Sequence, residues 1–79
     1  MTNNAYINMT LEDLFSILDT RVIVYIFEPD EVGGNHSIRK NVSIYELLAD
    51  SCFMDAYREY KVIGINKSIG QLSILIEDE

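Results

Sequence analysis

Between Arg21 and Glu28 the chain reads Arg-Val-Ile-Val-Tyr-Ile-Phe-Glu, and every residue inside that run is β-branched or aromatic. Such residues favour extended backbone. Pro29 closes the run, because proline has no amide to give to a ladder. Side chains of a strand alternate between two faces, so Val22, Val24 and Ile26 lie on one side and Ile23, Tyr25 and Phe27 on the other. Both rows are apolar. A sheet shielded by helices on one side would leave the second row exposed, and apolar patches of that kind mark protein interfaces.

Two helix starts share one device. Thr10-Leu11-Glu12-Asp13 sets a hydroxyl at the N-cap and a carboxylate three residues on, with Met9 and Leu14 as a hydrophobic staple. Leu11, Leu14, Phe15 and Leu18 then follow helical spacing, which predicts a helix to about Leu18. Ser43-Ile44-Tyr45-Glu46 is a full capping box with Val42 and Leu47 as its staple. It predicts a helix presenting Ile44, Leu47, Leu48 and Ser51 or Cys52 to the core. Phe53, Ala56, Tyr57 and Tyr60 repeat the spacing on a shifted face, so a break near Asp50-Ser51 and a short third helix are expected.

Three further strands are expected. Ser37–Val42 is polar and suited to an edge, while Lys61–Asn66 and Gln71–Glu77 flank a short loop in which Gly70 can take a positive φ. The first hairpin has the longer loop, Pro29 to Asn35, with the Gly33-Gly34 pair. The order α-β-β-α-(α)-β-β predicts a two-layer α+β domain: a four-stranded, mostly antiparallel sheet with helices on one face. Seventy-nine residues make one domain over 1–79. The ends, Met1–Asn4 and Glu77–Glu79, are expected to fray.

Thirteen acids against six bases give a net charge of −7. Direct nucleic-acid binding needs lysine and arginine on one face, and here Arg39-Lys40 is the only adjacent basic pair. One cysteine excludes an internal disulfide. The N-terminus lacks a basic stretch followed by an apolar run. The longest apolar run, Val22–Phe27, is far below the ~20 residues that span a bilayer. A cytoplasmic protein is expected.

Catalytic chemistry finds little footing. His36 is the single histidine, the one side chain that ordinarily titrates near neutrality, and it stands at a loop tip or strand start without a nucleophile motif. Cys52, beside Phe53 and Met54, reads as a small buried hydrophobe. One cysteine and one histidine fall short of a zinc site, and Glu28-Pro29-Asp30-Glu31 lacks the order of a calcium loop. No metal or cofactor is expected. Asn-x-Ser/Thr matches at Asn8, Asn35, Asn41 and Asn66 carry no weight in a cytoplasmic chain, and those at Asn8 and Asn41 supply the N-caps Thr10 and Ser43.

Two features remain as binding candidates. One is the row Ile23, Tyr25 and Phe27, joined by Ile63 and Ile65 or by Leu75; the other possibility is a curled sheet or an N-terminal segment around Tyr6-Ile7 lying across it. The second is acidic: Glu28, Asp30 and Glu31 of the first loop, with Glu12, Asp13 and Glu77-Asp78-Glu79. Carboxylates aligned on one edge can imitate phosphates in a basic groove; a solvated rim is the plainer account.

Leu11–Asp19 followed by Thr20-Arg21-Val22-Ile23-Val24 resembles the opening of a group of small uncharacterised proteins from phages and prophages of Gram-positive bacteria. Tyr45-Glu46-Leu47-Leu48, Val62–Ile65 and Leu72–Glu79 resemble their later helix, strand pair and acidic tail. The first loop is longer here and the Ser51–Tyr57 stretch is inserted. By class analogy, small acidic phage domains without catalytic residues resemble inhibitors of host defence, anti-CRISPR proteins among them. The resemblance implies a non-enzymatic inhibitor docking on a basic nucleic-acid-binding surface of a host nuclease, with Tyr25, Phe27, Glu28, Asp30 and Glu31 at the contact. The alternative is a structural module, possible as a homodimer, that self-associates through Ile23, Tyr25 and Phe27.

Overall fold

A computed structural model describes residues 9–78. The elements run α1 (Leu11–Ile17), β1 (Ile23–Pro29), β2 (Asn35–Ser43), α2 (Ile44–Leu48), α3 (Ser51–Tyr57), β3 (Lys61–Ser68) and β4 (Gln71–Glu77). This is the expected α+β order, including the break between α2 and α3. The expectations on Met1–Asn4, Tyr6-Ile7, Asn8 and Glu79 fall outside the described residues, and Glu77 is the last residue of β4.

Each helix starts where its cap dictates. The Asp13 amide donates to Thr10 Oγ1 and the Thr10 amide to Asp13 Oδ2, both at 3.1 Å, so the shorter aspartate completes a capping box. Ser43 and Glu46 make the same reciprocal pair at 3.1 Å. The α2–α3 break is also a start: Asp50 accepts the Phe53 amide at 3.0 Å and caps α3. Two short helices therefore replace one longer one, each with its own orphan amides satisfied.

The sheet order is β2-β1-β4-β3. The two hairpins are antiparallel and meet along a parallel seam, Val24↔Leu72 to Phe27↔Leu75. Helices cover one face. Val24, Ile26, Val62, Ile74 and Ile76 are buried there with Leu11, Leu14, Phe15, Ile44, Leu47, Phe53 and Met54. Tyr57 and Tyr60 extend this core through ring contacts, Phe53–Tyr57 at 5.1 Å and Tyr57–Tyr60 at 4.8 Å. Two expected core positions are corrected. Leu48 is 43% exposed, and Ile44 and Leu47 carry the buried face of α2. Cys52 is exposed: the new cap at Asp50 resets the helical phase, so Phe53 and Met54 turn inward and Ser51 and Cys52 outward.

Candidate binding surface

The face of the sheet that none of the described helices covers carries the second apolar row. Ile23, Tyr25 and Phe27 are each half-buried, outside the core cluster, and the Tyr25 and Phe27 rings pack at 5.8 Å. On β4 their parallel neighbours are Ser73 and Leu75. On β3 the neighbours differ from expectation. A bulge makes Ile63 the extra residue between Val62 and Gly64, and the register shifts by one residue beyond it. Gly64 thus lies opposite Leu75, and Ile65 opposite Ile74. Leu75 joins the aromatic row, and Ile65, 42% exposed, lines the same hollow as expected; Ile63 is taken up by the bulge. The result is a shallow hollow of about 360 Å³, lined by Phe27, Leu75, Ser73, Gly64 and Ile65 with Asn35 and Asn66.

The acidic residues assemble through the parallel seam. Because β1 and β4 run the same way, Glu28, Asp30 and Glu31 leave the sheet at the end where Glu77 and Asp78 emerge. β3 begins at this end too, with Lys61 opposite Glu77. The start of α1 is tied to it: Thr10 bridges Lys61, and the Glu12 amide donates to the Arg58 carbonyl at 3.1 Å. The end of α3 completes the gathering, since Asp55, Glu59 and Asp78 line one open hollow of about 710 Å³ with Ala56, Arg58 and Tyr60. Burial first, then the charges of Glu28 and Asp78, push the Tyr60 phenol upward, so both carboxylates bear on one ring.

The bases at this end are His36, Arg58 and Lys61. Arg58 reaches Glu12 at 3.4 Å and Asp55 at 3.7 Å. Among the described residues, Glu31, Glu59, Glu77 and Asp78 make no ion pair. Acids elsewhere are occupied internally: Asp19 chelates Arg21, which holds its carboxyl down to about 2, Asp50 caps α3 near Arg39, and Glu46 caps α2. The far end carries Arg21 and Lys67 beside an apolar hollow with Leu18 and Leu72. Carboxylates without an ion pair are therefore concentrated at one end among the described residues.

His36, expected at a loop tip or strand start, lies in β2. In the register of the first hairpin it stands directly across from Glu28. Nε2 lies 3.3 Å from Glu28 Oε1, and Nδ1 is hydrogen-bonded to Asp30 Oδ1. Of the expected contact residues, this brings Glu28 and Asp30 together on one ring, sets Tyr25 against Phe27 on the open face, and leaves Glu31 exposed in the loop. The two carboxylates occupy opposite sides of the ring and do not converge on a common point. Among the described residues, no three histidine, cysteine, aspartate or glutamate side chains form a group that could hold a metal ion.

No protein-family model, curated protein or solved structure matches the chain. Among the described residues no helix is long and apolar enough to cross a membrane.

Proposed function

We propose that this chain is a non-enzymatic binding protein that docks its acidic end on a basic, nucleic-acid-binding surface of a protein partner, in the manner of phage-encoded anti-CRISPR inhibitors. The observation that carries the reading is the convergence of carboxylates from four separate segments, namely the start of α1, the β1–β2 turn, the end of α3 and the end of β4. Such an end steers association with a cationic surface. Phe27 and Asn35 border both this end and the hollow of the open face, so a partner drawn by charge meets an aromatic anchor beside it. A non-catalytic role is supported by His36, whose two ring nitrogens are both committed to carboxylates.

The test is titration of the protein into an oligolysine peptide and into a guide-loaded CRISPR effector nuclease, across ionic strength. Between about 0.01 M and 0.15 M salt the screening length falls from ~30 to ~8 Å, and binding should weaken steeply over that range. Asp30→Lys with Glu31→Lys should abolish it. Binding that ignores both salt and charge reversal would sink the proposal.

The half-exposed Tyr25–Phe27 pair supports a second reading, self-association through the open face. It predicts a dimer by light scattering that is broken by Tyr25→Arg and indifferent to salt; a monomer at every concentration removes it.

A further inference from the structure

We propose that His36 is a proton-operated latch on the acidic end: the doubly protonated ring ties Glu28 to Asp30 and closes the loop between β1 and β2, and loss of one ring proton frees one of those carboxylates. The consequence for binding rests on the docking role proposed above; the latch itself does not.

The argument begins with hydrogen-bond valence. A neutral imidazole has one N–H and one bare nitrogen, whereas the imidazolium has two N–H donors. Here Nδ1 meets Asp30 and Nε2 meets Glu28, and an ionised carboxylate can only accept. The neutral ring would set a nitrogen lone pair against carboxylate oxygen on one side. Only the imidazolium satisfies both contacts.

The two carboxylates belong to different parts of the hairpin. Glu28 is in β1, across the ladder from His36 in β2. Asp30 is in the turn, where its amide donates to the Gly34 carbonyl at 2.8 Å and its carbonyl accepts from Gly33 at 3.3 Å. Gly33 holds φ +94°, a conformation glycine adopts without strain. The side-chain contact with His36 is the third tie on this turn and the one that a proton controls. The charged groups facing the ring are Glu28 from β1 and Asp30 from the turn; beyond Glu28, on the helix side, lie Tyr60 and Asp78.

The direction of the titration follows. The hydrogen bond to Asp30 raises the His36 pKa above its ordinary 6.5; burial opposes this, and the charges of Asp30 and Glu28 reinforce it. A group whose pKa is higher in the folded state stabilises fully below the unfolded value and stops doing so as pH rises through the folded one. The latch is therefore closed below pH 6.5 and opens above the folded pKa. Opening makes the acidic end more negative by one charge and returns one carboxylate to solvent. A basic partner is then held more tightly on the alkaline side.

The experiment is a proton-NMR titration of the whole chain, following the His36 ring and the amides of Glu31, Gly33 and Gly34. The latch predicts a ring midpoint above 6.5, loop amides that shift with the same midpoint, and loss of the amide transition in His36→Gln. Asp30→Asn should move the midpoint back toward 6.5. A wild-type midpoint at or below 6.5, or loop amides that ignore the ring, overturns the latch. A parallel titration with oligolysine reads the consequence: affinity should rise by about two- to fivefold through the same midpoint, the scale of one exposed ion pair, and be flat in His36→Gln. Flat wild-type affinity despite a normal ring titration overturns the link to binding. No oligolysine binding at any pH counts against the docking role alone, and the ring titration still decides the latch.

Discussion

Single side chains decide where this small molecule's helices begin. α2 has five residues, too few to persist without help from its ends, so its capping box carries an unusual share of its stability. Ser43→Ala should cost about 1 kcal/mol in urea unfolding, and Ser43→Gly only a few tenths. Phe53 joins the layers: it is buried, stacks on Tyr57 and lies beneath the Arg39 guanidinium at 5.2 Å. Phe53→Ala should cost about 3–5 kcal/mol, a large part of the total a domain of this size commands, and circular dichroism should show substantial unfolding at 37 °C. At Asp19 the expected outcome is electrostatic. Its carboxyl is held down to about 2 by the hydrogen bonds from Arg21, so Arg21→Ala should return its titration toward 3.8, as read by carbon NMR. Capping residues were legible in the sequence because their chemistry is local. His36 was half legible: a loop between Glu28 and Asn35 already sets it across from Glu28, but the turn's inward reach toward its other nitrogen depends on Gly33 and Gly34 and is not a matter of spacing.

At the scale of elements, the strands were legible and their parity was not. Alternation correctly assigned β1 and β4, whose ladders to each other are regular. It was upset on β3, where the bulge at Ile63 shifts the register by one residue. Glycine at position 64 is the trace of this, since it stands opposite Leu75 where alternation had expected an isoleucine. Its backbone is not in the left-handed region, and a Cβ there would meet Leu75 Cβ at 3.7 Å, an ordinary contact. Gly64→Ala should therefore be neutral to stabilising by about 0.5 kcal/mol, through the entropy of the unfolded chain. Gly70, at φ +74° in the β3–β4 turn, should behave oppositely, with Gly70→Ala costing about 1 kcal/mol. Thermal melts of the two variants, run side by side, check the contrast. The break between α2 and α3 was legible, but its effect on Cys52 was not, because the cap at Asp50 rather than the helical period sets the phase.

For the whole molecule, the feature that matters is the parallel seam between two hairpins. Hydrophobic pattern foretold a mostly antiparallel sheet but did not say which strands would adjoin, and so could not say that four acidic segments would share one end. Like charges gathered there repel one another in the folded state. Raising salt from about 0.01 M to 0.15 M, which shortens the screening length to ~8 Å, should raise the melting temperature; a melting temperature that falls would contradict that gathering of carboxylates. The same topology brings the described ends of the chain to one strand. Thr10 and Glu77 both adjoin Lys61, one on each side of β3, which sets them two strand spacings apart, ~10 Å. A flexible linker of about five residues closes that gap. A circularly permuted chain that opens between Ile69 and Gly70, with Asp78 joined to Met9 through that linker, should build the same sheet. Its new termini would then stand at the β3–β4 turn, leaving the opposite, acidic end unencumbered by any fused tag or reporter.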